Sequence, residues 1–288
     1  MRLACADDTF RLLRPHRAVL ELVARLGVEG VDVFLAGNRS IVRPEDVRAD
    51  IAEAAARITR DVREVGLAVS DVFVIPWTDL ETLAPNSPDA EQREASRALF
   101  LDMLELARRV GAPGMTILPG IHWPRESLED SAARAAEELG WRAERAKREG
   151  LRFSVEPHVG SIVPTPELAA RLVEETPELE ITLDYSHFVR QGLTEEEADA
   201  LIPFTRHVHV RGATAGRVQA SVRESTIDFE RMLAALAAGG YDGHLTLEYV
   251  WLQWEHCHEC DNLAETILLR DRLRAALAGE EWVYPDVG

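Results

Sequence analysis

Lysine is almost missing from this chain: of 32 basic Lys and Arg side chains only Lys147 is a lysine, set in the charged helical stretch ERAKREG. Its scarcity nearly removes Schiff-base chemistry and removes the lysine-containing phosphate loop. Cysteine is scarce too. Cys5, Cys257 and Cys260 are too few, and odd in number, for a disulfide framework in 288 residues, which points to a reducing compartment. No apolar run approaches the roughly 18 to 20 residues that span a bilayer, and the start, MRLACADDTF, carries no long apolar stretch before its acidic pair. Positive charge is in deficit: 32 basic residues against 50 acidic ones leave −18, a field that repels phosphate backbones and anionic membranes. Nucleic acid and membrane are therefore poor partners, and a soluble cytoplasmic protein is expected. A glycine-rich GxGxxG turn is absent as well, which argues against a dinucleotide-binding sheet.

What the sequence does contain is alternation. Apolar segments of about five residues recur between longer stretches of helical period, the pattern of βαβ units. Strands are expected at Leu3–Ala6, Gly30–Leu35, Ala68–Val74, Gly114–Leu118, Leu151–Glu156, Glu180–Asp184, Arg206–Val210 and His244–Val250. Helices are expected near 15–26, 45–65, 89–110, 125–149, 166–175, 195–202, 228–238 and 261–277. Eight of each, with no linker or composition break, predict an α/β fold, a single (β/α)8 TIM barrel, as one domain over residues 1–288.

In such a barrel the chemistry stands where each strand stops. The period of two sends Ser154, Glu156 and His158 toward the axis while Phe153 and Val155 face the helices. The same reading points Thr182 and Asp184 inward, then His207, His209 and Arg211, then Thr246 and Glu248. Four successive strands thus deliver Glu156, Asp184, His209 and Glu248 to one rim. One such residue alone is more often a hydrogen-bonded structural group; four together form a specific set. Three carboxylates at about 4 Å repel by several kcal/mol at an effective dielectric of about 20, so either their pKa values rise or a cation sits among them. The donor set favours one divalent ion: Mn²⁺, Mg²⁺, Co²⁺, Fe²⁺ or Zn²⁺.

The stretches SVEPHVGS, LDYSHF, HVHVRGA and LTLEYVW, with the closing DNLAETILLRDRL, resemble the xylose isomerase-like barrels, the sugar (phosphate) isomerase/epimerase superfamily that also contains endonuclease IV. The resemblance implies metal ligation by Glu156, Asp184, His209 and Glu248. It matches His187 to a substrate-contact histidine and offers Arg211 for the same role. The implied chemistry is proton transfer through a metal-stabilised enediolate, with Glu156 or Glu248 as base: return of the proton to the same carbon is epimerisation, to its neighbour isomerisation. A lyase or dehydratase is the alternative, and a non-catalytic sugar-binding barrel a third reading. Ketose 3-epimerases of the superfamily carry another glutamate where this chain has Ile162, and the segment after His209 lacks the Asp-x-His pair of endonuclease IV, so DNA repair is disfavoured.

His122, His158 and Arg217 complete the expected substrate contacts, the arginine as a clamp for phosphate or carboxylate. His207, one step deeper than His209, is expected to support it rather than to ligate. Trp77 is a candidate apolar wall. The run His256–Asp261, with Cys257, His258 and Cys260, suggests zinc, but ligands so tightly spaced rarely close a tetrahedron, and a loop over the pocket fits better. Trp251 and Trp254 would help that loop exclude water.

Overall fold

The structure is a computed structural model and describes residues 1–285. The expected span of 1–288 ends on three residues outside the described ones. Eight parallel strands close on themselves in sequence order, β1 Arg2–Ala6, β2 Gly30–Ala36, β3 Ala68–Ile75, β4 Gly114–Ile117, β5 Arg152–Val155, β6 Leu179–Asp184, β7 Thr205–Val210 and β8 His244–Leu247. The seam is the parallel pairing of β1 with β8, from Arg2 opposite His244 to Cys5 opposite Leu247. The alternation read from the sequence is a (β/α)8 barrel.

Helices cover the sheet: α1 His16–Arg25, α2 Pro44–Ala49, α3 Ile51–Glu64, α4 Ala90–Val110, α5 Leu128–Arg148, α6 Pro166–Glu175, α7 Tyr185–Val189, α8 Glu195–Asp199, α9 Phe229–Ala238 and α10 Asn262–Ala278. Two details differ from the periodicity. The single helix expected near 45–65 is broken at Asp50, whose backbone is extended (φ −156°, ψ 94°) and whose side chain accepts from Glu53 N to start α3. The short α7 follows β6 directly, because Asp184 itself caps it by accepting from Ser186 N. Among the described residues no helix is long and apolar enough to cross a membrane.

The main core lies between sheet and helices, where outward strand residues such as Val33, Phe153, Leu183 and Leu247 meet Ile58, Met103, Leu139 and Leu269, all essentially without exposure. Each such side chain contributes roughly 1.5–3 kcal/mol of burial. Phe153 also meets Phe100 of α4 edge-on at 5.3 Å.

Inside the barrel the filling is polar, and two register shifts add to it. The β2–β3 pairing passes from Val31 opposite Val69 to Asp32 opposite Asp71, leaving Ser70 as an extra residue. The β6–β7 pairing passes from Ile181 opposite Thr205 to Thr182 opposite His207, leaving Arg206 extra. Bulges of this kind break the period of two. Arg206, which strict alternation would send to the helices, is instead buried and donates from Nη2 to Asp71 Oδ2 (2.9 Å) and Ser154 Oγ (2.7 Å). Thr116, Ser154 and Thr182 hydrogen-bond in the same layer. This floor sits below the strand ends that carry the ionisable set.

Candidate active site

Glu156 follows β5, Asp184 ends β6, His209 lies in β7 and Glu248 follows β8; all four are buried. The structure brings Glu156, His209 and Glu248 together: one ligating atom from each lies within 4.8 Å of the others. His209 Nδ1 stands 2.6 Å from Glu156 Oε1 and 3.4 Å from Glu248 Oε2. Its other nitrogen faces Asp32 Oδ2 at 3.3 Å without the alignment of a hydrogen bond. Asp32 in turn accepts Ser70 Oγ and pairs with His207 Nε2 at 2.7 Å, so His207 supports the site through Asp32. A carboxylate behind an imidazole is the arrangement that orients a metal-ligating histidine.

Asp184 is adjacent but engaged differently. Its Oδ1 accepts from Ser186 N at 2.8 Å and its Oδ2 from Arg211 Nη2 at 2.7 Å. Arg211 is fully enclosed, also donating from Nε to Ser186 Oγ and from Nη2 to His187 Nε2. Its guanidinium approaches Glu248 Oε2 to 3.6 Å. The acids gathered here are therefore partly balanced by a built-in cation.

The charges follow from burial and neighbours. Burial alone would raise the Glu156 carboxyl, but the His209 hydrogen bond and charge hold it below its ordinary range. Burial pushes Glu248 up to about 7 in spite of His209 and Arg211, and its Oε2 is enclosed with no donor. Burial also opposes a charged His209, yet the Glu248 charge and the contacts to Asp32 and Glu156 raise it well above its usual value. His187 is driven well down by burial, with the His158 and Arg211 charges adding to it. Two adjacent glutamates thus differ in proton affinity, the condition for one to hold a proton while the other is ionised. An enclosed carboxylate oxygen without a donor, facing a second carboxylate and an imidazole, fits a divalent cation. Glu156, His209 and Glu248 are the residues that could hold it, with Asp184 beside them.

Above this cluster opens a cleft of about 210 Å³, lined by Glu156, His158, Arg211 and Glu248 on one side and by Phe34, Phe73 and Leu118 on the other. His158 is half-buried, 4.3 Å from the His187 ring, and Trp254 stacks on it at 5.0 Å. Trp254 is positioned by its neighbours: Glu255 and His256 are both left-handed (φ 50° and 59°), and Arg190 clamps Glu255 through two hydrogen bonds of 2.9 and 2.8 Å. The segment His256–Asp261 belongs to this covering loop. Cys257 and Cys260 are buried, Asp261 caps α10, and among the described residues no metal-sized group forms there.

Two expected substrate contacts stand elsewhere. His122 is exposed in the β4–α5 loop, its Nε2 3.1 Å from Glu126 O, because that loop turns away from the axis to start α5. Arg217 is half-buried on a hairpin closed by the Thr214–Arg217 bridge, outside the cleft lining, and pairs with Glu259 at 3.1 Å. Trp77 is an exposed residue outside the cleft lining. Sequence reasoning missed Asp32 and Arg39. Asp32 had a signal, since the alternation of GVDVFLA points it inward with Phe34. Arg39, which lines the cleft from the β2–α2 loop, had none.

A family model described as Xylose isomerase-like TIM barrel matches residues 20–272. An uncharacterized protein of Methanocaldococcus jannaschii is 29% identical over 171 residues, covering 58% of this chain; the chain spans 63% of that relative's length. Among solved structures, D-psicose 3-epimerase with D-tagatose from Clostridium cellulolyticum H10 superposes with a TM-score of 0.74 at 15% identity, covering 97% of this chain and 98% of that one. The probable 3-DHS dehydratase of petrobactin synthesis from Bacillus anthracis gives 0.70 at 15% identity over 94% and 100%. A xylose isomerase-like TIM barrel protein from Mycobacterium smegmatis in complex with magnesium gives 0.70 at 15% over 96% and 97%. At these identities the likeness is one of fold.

Proposed function

The chain belongs to the xylose isomerase-like TIM barrel family, and from that premise we propose that it is an isomerase or epimerase acting on a small sugar or sugar-derived hydroxy-ketone, with one divalent ion at Glu156, His209 and Glu248 and with Asp184 as the expected fourth ligand. The observation that carries the reading is the convergence of those three buried side chains within 4.8 Å, one of them with an oxygen that finds no donor. The ion, when bound, supplies Lewis-acid polarisation of the substrate carbonyl.

The chain's own residues do the rest. Glu156 and Glu248 reach the site from different strands, so a C–H bond placed between them meets a carboxylate on each side. One removes the proton and the other returns it. Arg211, pinned through Nε and Nη2, turns Nη1 to a substrate oxygen, and His187, kept neutral, steadies that guanidinium by accepting from it at Nε2. Trp254 over His158 shields the cleft from water. A dehydratase reading is the second possibility, supported by the fold likeness to the Bacillus anthracis protein; it would use the same proton removal and expel a β-leaving group. The three thiols, all buried and unpaired, suit a reducing cytoplasm.

The test is incubation of the full-length protein with Mn²⁺, Mg²⁺ or Co²⁺ and a panel of ketoses in deuterated water. Solvent deuterium at a carbinol carbon supports the reading, whereas loss of water from the product identifies elimination. No exchange with any ion, and equal behaviour of Glu156→Gln and Glu248→Gln, would sink it.

A further inference from the structure

Arg39 is the charged group of the cleft that the proposed chemistry does not use. It projects from the β2–α2 loop, and its guanidinium lies 5.3 Å above the Phe34 ring. Its Nε is buried with no acceptor, and the whole side chain makes no ion pair and donates no hydrogen bond among the described residues. The other cation of the lining, Arg211, is pinned through Nε and Nη2 by Asp184, Ser186 and His187 beside the catalytic cluster. Of the lining acids, Asp79 is spent on its own turn, accepting from Glu81 N and Thr82 N, and Glu156 and Glu248 belong to the catalytic cluster. Asp8 is the nearby buried acid whose charge acts on Arg39, and it forms no ion pair with it.

The loop that carries Arg39 is fixed in place. Ser40 Oγ accepts from Ala36 N at 2.7 Å and donates to Val42 O at 2.6 Å. Asn38, left-handed at φ 54°, donates its N–H to Glu45 Oε1 at 3.1 Å. Gly37 must be glycine, since a Cβ there would stand 2.2 Å from Pro76 O. From Arg39 a wall of two rings leads to the catalytic cluster: Phe34 meets Phe73 at 4.8 Å, and Phe73 meets His209 at 5.4 Å. An uncommitted guanidinium at one end of an apolar wall, with an ionisable cluster at the other, is a two-ended site for an elongated ligand.

We infer that Arg39 binds an anionic group at the far end of the substrate, so that the protein selects a hydroxy-ketone ending in a carboxylate or a phosphate monoester over a neutral sugar. The inference rests on the cleft being the substrate site proposed above. In a chain of net charge −18 the general field opposes such a ligand, and a preformed local fork is what would overcome it.

The test reads binding, so that it stays decidable whether or not turnover is found. The Mn²⁺-loaded full chain is titrated calorimetrically with D-fructose, with its terminal phosphate monoester, and with the keto-gluconate whose ketone lies at the carbon next to the terminal alcohol. One of the charged ligands is expected to bind about tenfold or more tighter than D-fructose, the yield of one charge-assisted contact; which one wins distinguishes phosphate from carboxylate. Arg39→Gln should erase that excess and leave D-fructose binding unchanged, while Arg39→Lys, as a folded control that keeps the charge, retains part of it. No preference for either charged ligand, an undiminished preference in Arg39→Gln, or equal weakening of all three ligands overturns the assignment.

Discussion

Glu248 and Asp8 are both buried carboxyls without a hydrogen-bond donor, and they separate function from stability. For Glu248 the expectation is chemical. Glu248→Gln keeps the shape, removes a titrating oxygen and should lower solvent-deuterium incorporation by about 10²–10⁴-fold, the range for loss of a general acid or base, with the circular dichroism spectrum unchanged. For Asp8 it is thermodynamic. Burial raises its carboxyl from 3.8 to about 6, against the opposing charges of Arg39 and Arg11. Ionisation of the folded state therefore costs stability at neutral pH; the cost is complete above about 6 and disappears as pH falls through the unfolded value of 3.8. Asp8→Asn should stabilise by up to about 3 kcal/mol at neutral pH, and urea melts should show that gain shrinking toward zero in acid. A gain that grows on acidification would reverse the assigned sign.

At the scale of elements, the two bulges add polar side chains to the barrel interior. Ser70 in β3 and Arg206 in β7 each occupy an extra place in the ladder, and Arg206 reaches across to Asp71. Removing one partner leaves the other charge enclosed. Arg206→Met should thus destabilise by about 3–5 kcal/mol, while Arg206→Met with Asp71→Leu recovers most of the loss, as measured by thermal melts of the three proteins. The bulges also mark where alternation ceased to be legible. Period two placed Glu156, Asp184, His209 and Glu248 on the inner face because β5, β8 and the upper halves of β6 and β7 are regular. It would have found Asp32 by the same arithmetic on β2. It could not find Arg206, since a one-residue insertion leaves no mark in the apolar pattern, nor Arg39, whose placement depends on Gly37 packing against Pro76 in a loop without period. Helix positions were readable from caps and prolines, except at Asp50, where one side chain splits what the hydrophobic spacing reads as a single helix. His122 and Arg217 were misplaced for a related reason: residues beyond a strand end inherit no direction from it.

For the molecule as a whole, an ion held by the cluster is expected to be a ligand of the folded state alone. At a concentration one hundred times its dissociation constant it adds about 2.7 kcal/mol. Chelation of the loaded protein should lower the melting temperature, and Mn²⁺ or Co²⁺ should restore it. Glu156→Gln should blunt both responses, and a melting temperature indifferent to chelator and ion would remove the metal from the account. The distribution of basic groups has a different consequence. Lys147 lies in the last turn of α5, exposed and paired with Glu178 at 2.7 Å, on the side where the chain enters β5, opposite the mouth of the barrel. An amine-reactive tether has this single lysine and the α-amino group of Met1, which precedes β1 at the same end of the barrel, to attack, so coupling to a sensor chip fastens the protein by its base and leaves the cleft turned to the flowing solution.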